Sequence, residues 1–390
     1  MRDGDEFLAQ HLRERPTSVM SEAGDLGLSR TDVINFSLGD PDLTTDERII
    51  DAMCTDARAG HTHYTETLGQ VEFREEIVAF TKEHYGLDYA LDECMVTTSA
   101  NHGMWLICQA LANPGDEILL MEPYFTPYLD QVSMSGAVPV PVPTQPQNGF
   151  LPTEAELRAA ISERTRAIIV NSPANPTGAV WDRETLEMTL RIAEECDLLI
   201  LADDIYTIYD YERPFVSIAT LPGAVERTVI LNSFSKNYCM AGFRIGYLLG
   251  PRALIAACRD LNESVVFTPP SISQRAGLAA LRLHDEVCPP IREVFRRRLA
   301  VVAEEVNRTP KMSTPPPRGA IYLWVDIRET GLSSIEVARR LFAEAGVAVV
   351  AGPGFGESGE GYIRLACTIS EERSREAFAR IRQMPLFRED

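Results

Sequence analysis

Short apolar runs alternate with longer stretches of helical periodicity through most of the chain. Cys94 to Thr98, Arg166 to Asn171, Asp197 to Ala202 and Val229 to Leu231 are nearly continuous in apolar residues, as strands buried on both faces should be. A further buried strand is expected in PGDEILLMEPYFTPY, between a turn and a proline-aromatic loop. Helices are predicted over 47–58, 71–85, 101–111 and from Arg183. Apolar residues at 71, 73, 77, 78 and 80 give the second of these one apolar face. Thr153 with Glu156 three residues on forms a capping-box pattern and predicts a helix over 153–163. The proline-studded stretch 136–147 reads as extended chain. Strands alternating with helices from 47 to 270 predict an α/β fold with a mostly parallel sheet.

The two ends of the chain differ from this middle. Residues 1–30 read as helical and then irregular, and Ile34 to Asp42 as a short strand closing in a Gly-Asp-Pro-Asp turn. After Pro269 long helices are expected at 271–283 and 290–306. A strand then follows the turn TPPPRG, with a helix at 334–345, strands at 347–350 and 362–367, and a helix from Glu371.

Composition narrows the function classes. A chain of 390 residues with 45% apolar and 24% charged residues can bury a large core in two domains. A net charge of −20 argues against nucleic acid and anionic membrane as partners. No apolar run approaches the roughly 20 residues that span a bilayer. The charged N-terminus has no apolar signal core, which predicts a cytoplasmic protein. Eight cysteines without a CxxC pair read as reduced, mostly buried thiols. His61 and His63 form an HxH pair with no further Cys or His cluster, and no metal is expected there.

The chemistry concentrates in TVILNSFSKNYCMAGFRIGYLLG, residues 228–250. Of 37 basic residues 34 are arginine, and the three lysines are Lys82, Lys236 and Lys311. Where arginine serves almost everywhere else as the cation, Lys236 offers what arginine lacks, an amine that can lose its proton and attack a carbonyl. Ser233, Ser235 and Arg244 stand close by in sequence and suit an anion. An amine forming a Schiff base beside an anion site points to pyridoxal phosphate.

SFSKNYCMAGFRIGY resembles the lysine motif of the class I/II aminotransferases, fold-type I pyridoxal phosphate enzymes. Further segments match the same family in order along the chain. The resemblance implies that Lys236 carries the cofactor, with Ser233 and Arg244 at its phosphate. It places the turn Thr98-Ser99-Ala100-Asn101 at the same phosphate, although the family usually has glycine where Ser99 stands. Phe125 would stack on the pyridine ring. In NSPANPTG, Asn175 would hydrogen-bond the phenolic oxygen, as would Tyr206, while Asp203 would face the ring nitrogen. Gly39 would line the substrate pocket, and Arg364 would clamp the substrate carboxylate. Tyr64 would reach the neighbouring subunit's cofactor phosphate, which implies a homodimer. The implied fold is a large cofactor-binding domain over 45–275 and a smaller α/β domain from 1–44 and 276–390. The implied reaction moves an amino group between an amino acid and a 2-oxo acid. Elimination, decarboxylation and cyclisation use the same site, and a ligand-sensing regulator remains a further alternative.

Two other motif matches fail on context. Gly354 to Gly359 satisfies GxGxxG, but a strand follows it where a dinucleotide site needs a helix. Ser233 to Lys236 satisfies SxxK, but neither remaining lysine opens the KTG that a penicillin-binding site also requires.

Overall fold

The computed structural model describes residues 7–9, 25 and 32–388. The helix and irregular segment expected over 1–30 lie almost wholly outside the described residues. Twelve strands are described: β1 Ile34–Asn35, β2 Cys94–Thr97, β3 Glu117–Glu122, β4 Val138–Pro143, β5 Thr165–Asn171, β6 Leu199–Asp203, β7 Thr228–Ser233, β8 Gly246–Leu249, β9 Tyr322–Asp326, β10 Val347–Ala348, β11 Val350–Ala351 and β12 Tyr362–Ala366. The helices are α1 Glu47–Arg58, α2 Val71–Tyr85, α3 Ala100–Leu111, α4 Pro127–Met134, α5 Glu154–Ala160, α6 Arg183–Glu195, α7 Phe234–Asn237, α8 Arg252–Val265, α9 Ser271–Arg282, α10 His284–Asn307, α11 Ser334–Ala345 and α12 Glu371–Ile381.

Seven strands form one sheet in the order β2-β8-β7-β6-β5-β3-β4. All neighbours pair in parallel except β8, which runs antiparallel to both β2 and β7. The sheet is covered on both sides, which is why its strands read as continuous apolar runs. Val96, Leu119, Ile168, Ile200 and Ile230 belong to the core of one face. Met95, Ile118, Ala167, Leu201 and Val229 belong to that of the other. At the edge, β4 carries proline at every second position, 139, 141 and 143, and pairs only with β3. Alternate residues of an edge strand turn their N–H groups away from the sheet, so the missing donors leave the ladder intact.

A second core gathers Ile34 and Phe36 with apolar residues from Leu299 to Phe387. It packs α10, α11 and α12 around β9, β12 and β11, an antiparallel sheet, and around the parallel pair β1 and β10.

Several local expectations changed. The strand expected at 347–350 is two short strands in different sheets. The strand expected from Asp197 starts at Leu199, because Asp197 has a positive φ of 51° as the chain leaves α6. The helix expected from Pro290 begins at His284 and contains both Pro289 and Pro290. Val287, Cys288, Ile291 and Phe295 form one buried stripe across the prolines, and that burial outweighs the lost backbone bonds. The proline-aromatic loop after β3 includes α4, with Pro127 at its first position, where a missing N–H is harmless. Helix α8 was not expected. The GxGxxG segment is a turn that packs on Glu122, whose carboxylate accepts from the Ser358 amide at 3.0 Å.

Candidate active site

The parallel strands end together, and β8 begins at the same edge. Register aligns Thr97, Gly246 and Ser233 in one row and Asn171 with Asp203 in another. Such an edge is where open α/β sheets bind ligands. A cavity of about 350 Å³ lies there. It is lined by Gly39, Ser99, Ala100, Asn101, Phe125, Asn175, Asp203, Tyr206, Ser233, Ser235, Lys236, Arg244 and Arg364. Thirteen residues expected from the sequence therefore share one cavity. Tyr64 does not join them. It is 84% exposed and packs edge-on against Phe267, with ring centroids 5.1 Å apart.

Lys236 sits on the single turn α7, directly after β7. Ser233 caps that turn by accepting from the Ser235 amide at 3.1 Å, and the two serine hydroxyls lie 3.0 Å apart. The Lys236 Nζ donates to the carbonyl of Gly39 at 2.6 Å. A Cβ on Gly39 would meet the Tyr322 hydroxyl at 2.2 Å, so only glycine lets the backbone come this close.

Asp203 closes β6 and is 5% exposed. The Tyr128 hydroxyl donates to its Oδ2, while its Oδ1 is buried with no partner. Burial pushes the Asp203 carboxyl up to about 6, against the pull of the Tyr128 hydrogen bond. Asp204 follows directly. It is buried, bonded to Ser217, and pushed up to about 7, chiefly by burial.

Arg364, in the middle of β12, is 1% exposed. It donates from Nη1 to Asn175 Oδ1 at 3.0 Å and from Nη2 to the Ser37 carbonyl at 2.5 Å. Its Nε has no partner. The guanidinium lies 4.7 Å from the ring centre of Tyr322 and 4.9 Å from that of Phe355. No carboxylate pairs with it among the described residues, and burial lowers its affinity for its proton. Asn175 is held in turn by Asn171, whose Oδ1 accepts the Asn175 amide at 2.8 Å.

At the other end, Ser99 precedes α3 with φ 79° and ψ 161°. That positive φ accounts for the glycine usual at this position. The α3 start leaves first-turn amides open beside Ser233, Ser235 and Arg244. A Cβ on Gly246 would lie 2.5 Å from the Asn232 carbonyl and 2.9 Å from the Ala100 amide, so this glycine lets β8 run against the turn. Arg244 is exposed, with Nη1 donating to the Ala241 carbonyl at 2.9 Å.

The model of the family Aminotransferase class I and II matches residues 31–381. The chain belongs to that family. Among these aminotransferases, the aspartate aminotransferase of Pyrococcus horikoshii is 33% identical over 379 residues, 96% of this chain and 96% of that protein. The arginine–pyruvate transaminase of Pseudomonas aeruginosa is 36% identical over 350 residues, covering 90% of this chain and 89% of its own. The solved aspartate aminotransferase of Thermus thermophilus with maleate superposes with a TM-score of 0.91 at 33% identity, over 98% of this chain and 99% of that one. As in that family, the architecture is α/β with a mostly parallel central sheet flanked by helices.

Tyr128 and Tyr322 are functional candidates that sequence reasoning missed. Tyr128 lies in the first turn of α4, three residues beyond Phe125, whose carbonyl accepts its amide at 3.0 Å, and the ring centroids are 5.5 Å apart. Tyr322 has no comparable signal. It starts β9, far along the chain, and reaches the Tyr206 hydroxyl at 2.9 Å only through the fold.

Proposed function

We propose that this aminotransferase depends on pyridoxal phosphate, held on Lys236, and moves an amino group between an L-amino acid and a 2-oxo acid. The observation that carries this reading is the convergence of three groups on one cavity: the Lys236 amine, the unpartnered Asp203 oxygen and the buried, carboxylate-free Arg364. The donor set fits the cofactor. A pyridine N–H would satisfy Asp203 Oδ1, and the α3 amides with Ser99, Ser233, Ser235 and Arg244 suit a phosphate. Phe125 offers an aromatic face to the ring, and Tyr206 and Asn175 offer donors to its phenolic oxygen.

When bound, pyridoxal phosphate supplies an aldehyde for amines and a ring that accepts electrons from a breaking bond. Asp203 would keep the ring nitrogen protonated by providing an anion in a dry site. Arg364 would bind the substrate α-carboxylate through its planar fork, with Asn175 and Ser37 holding the guanidinium in place. Lys236, displaced by the substrate amine, would take the Cα proton at Nζ and deliver it onward as general base and then acid. The Gly39 carbonyl, which accepts from Nζ at 2.6 Å, would hold the freed amine in the cavity.

The second core supports the division into a large domain over 45–275 and a smaller one from 1–44 and 276–390, except that Ala276 to Phe295 pack with the large domain. Eight unpaired cysteines support a reducing, cytoplasmic setting. The exposure of Tyr64 beside Phe267 supports a homodimer in which it serves the neighbouring subunit.

Borohydride reduction of the cofactor-loaded protein followed by peptide mapping tests this reading. One label per chain on Lys236, absent in Lys236→Ala, is expected. A label on Lys82 or Lys311 alone, or none, would overturn it.

A further inference from the structure

A second cluster of ligating side chains lies away from the central cavity, where α2 ends and α10 begins. His84 stands in the last turn of α2, and His284 and Asp285 open α10. One ligand atom from each lies within 4.8 Å of the other two. The two imidazole rings are 4.9 Å apart at 63°. Beside them opens a cleft of about 640 Å³ that reaches Asp210, Arg213 and Arg292.

We propose that His84, His284 and Asp285 bind a late first-row divalent cation such as Zn²⁺, bridging α2 to α10. Two imidazoles and one carboxylate favour Zn²⁺, Co²⁺ or Ni²⁺ over Mg²⁺ or Ca²⁺, which prefer all-oxygen sets. Ligand atoms about 2.1 Å from a tetrahedral ion lie about 3.4 Å from one another. The present spacing therefore needs a small inward rotation, and His84 and Asp285, at the surface, are free to make it. All three residues line the cleft, from which water can supply the fourth ligand.

The surroundings of His284 support the site independently. Its Nδ1 is 2.7 Å from the Tyr238 hydroxyl and 3.3 Å from Cys288 Sγ. With Nδ1–H donating to Tyr238, the Nε2 lone pair is left for the metal, the arrangement that orients metal-bound histidines. Tyr238 directly follows α7, and Cys288 Sγ lies 3.5 Å from the Asn237 carbonyl. A cation here would brace the turn that carries Lys236 from behind.

The test is calorimetric titration of the metal-free, cofactor-loaded full chain with Zn²⁺, repeated with Co²⁺ by visible absorption. One ion per chain at micromolar affinity is expected, without competition from millimolar Mg²⁺. His84→Ala and Asp285→Asn should each weaken binding about tenfold or more. The paired variant His61→Ala with His63→Ala should bind as the parent does. His84→Gln, a milder change at the surface, should lose the Zn²⁺-dependent rise in unfolding temperature that the parent shows. No saturable binding, binding that survives both His84→Ala and Asp285→Asn, or binding lost in the His61 and His63 variant would overturn the site and leave two rings that only pack against Phe80.

Discussion

Asp203 has no cation beside it among the described residues, and its folded carboxyl is raised from 3.8 to about 6 by burial. The folded state therefore holds this proton more tightly than the unfolded chain does. That contribution to stability is fully present below the unfolded value and is lost as pH rises through about 6. Without cofactor, Asp203→Asn should stabilise the protein at pH 8 by on the order of 3 kcal/mol and leave it little changed at pH 4. Urea midpoints across that range check the sign. A substitution that destabilises equally at both pH values would contradict it. Arg364 gives the second prediction at this scale. Arg364→Lys keeps the charge but loses the fork and leaves Asn175 Oδ1 without its donor. A loss of about 2–3 kcal/mol in kcat/KM is expected, carried mainly by KM for the amino acid. An unchanged KM would remove Arg364 from the carboxylate site. Lys236 was legible in the sequence because the chain uses arginine at all but three of its basic positions, whereas Tyr322 was not, since its contact to Tyr206 joins residues far apart in the chain.

At the scale of elements, the site depends on how closely backbones meet. Gly246 opens β8 against the turn that starts α3, and a methyl group there would press on the Asn232 carbonyl and the Ala100 amide. Gly246→Ala should cost about 1–3 kcal/mol by overpacking and weaken cofactor binding in parallel. Fluorescence titration with pyridoxal phosphate, beside a thermal melt, reads both. Full affinity with full stability would show that the turn can shift freely. Apolar patterning located the strands of the main sheet other than β8, and the capped helix α5, where Thr153 and Glu156 make both capping-box bonds. It failed where tertiary burial overrides local preference, as in the start of α10 across two prolines, and where one apolar run passes at Val349 from one sheet to another, between β10 and β11.

At the scale of the whole molecule, the cavity collects residues from the main sheet and from the antiparallel sheet of β9, β11 and β12. Gly39, Tyr322 and Arg364 come from outside the main sheet, and Asp203, Ser233 and Lys236 come from its edge. Tyr64 is the one expected site residue that the single chain leaves outside. In a dimer, Tyr64→Phe should weaken cofactor binding without dissociating the subunits. Sedimentation showing a monomer with cofactor fully bound would contradict the role given to it. The central claim, that these residues together perform transamination, has its most direct test in the visible spectrum of the cofactor-loaded protein. Single amino acids are added without any 2-oxo acid. The account predicts that the band of the lysine-bound cofactor gives way to that of the aminated form, with one equivalent of 2-oxo acid released per site. Continued release of ammonia or carbon dioxide with the original band intact would contradict it.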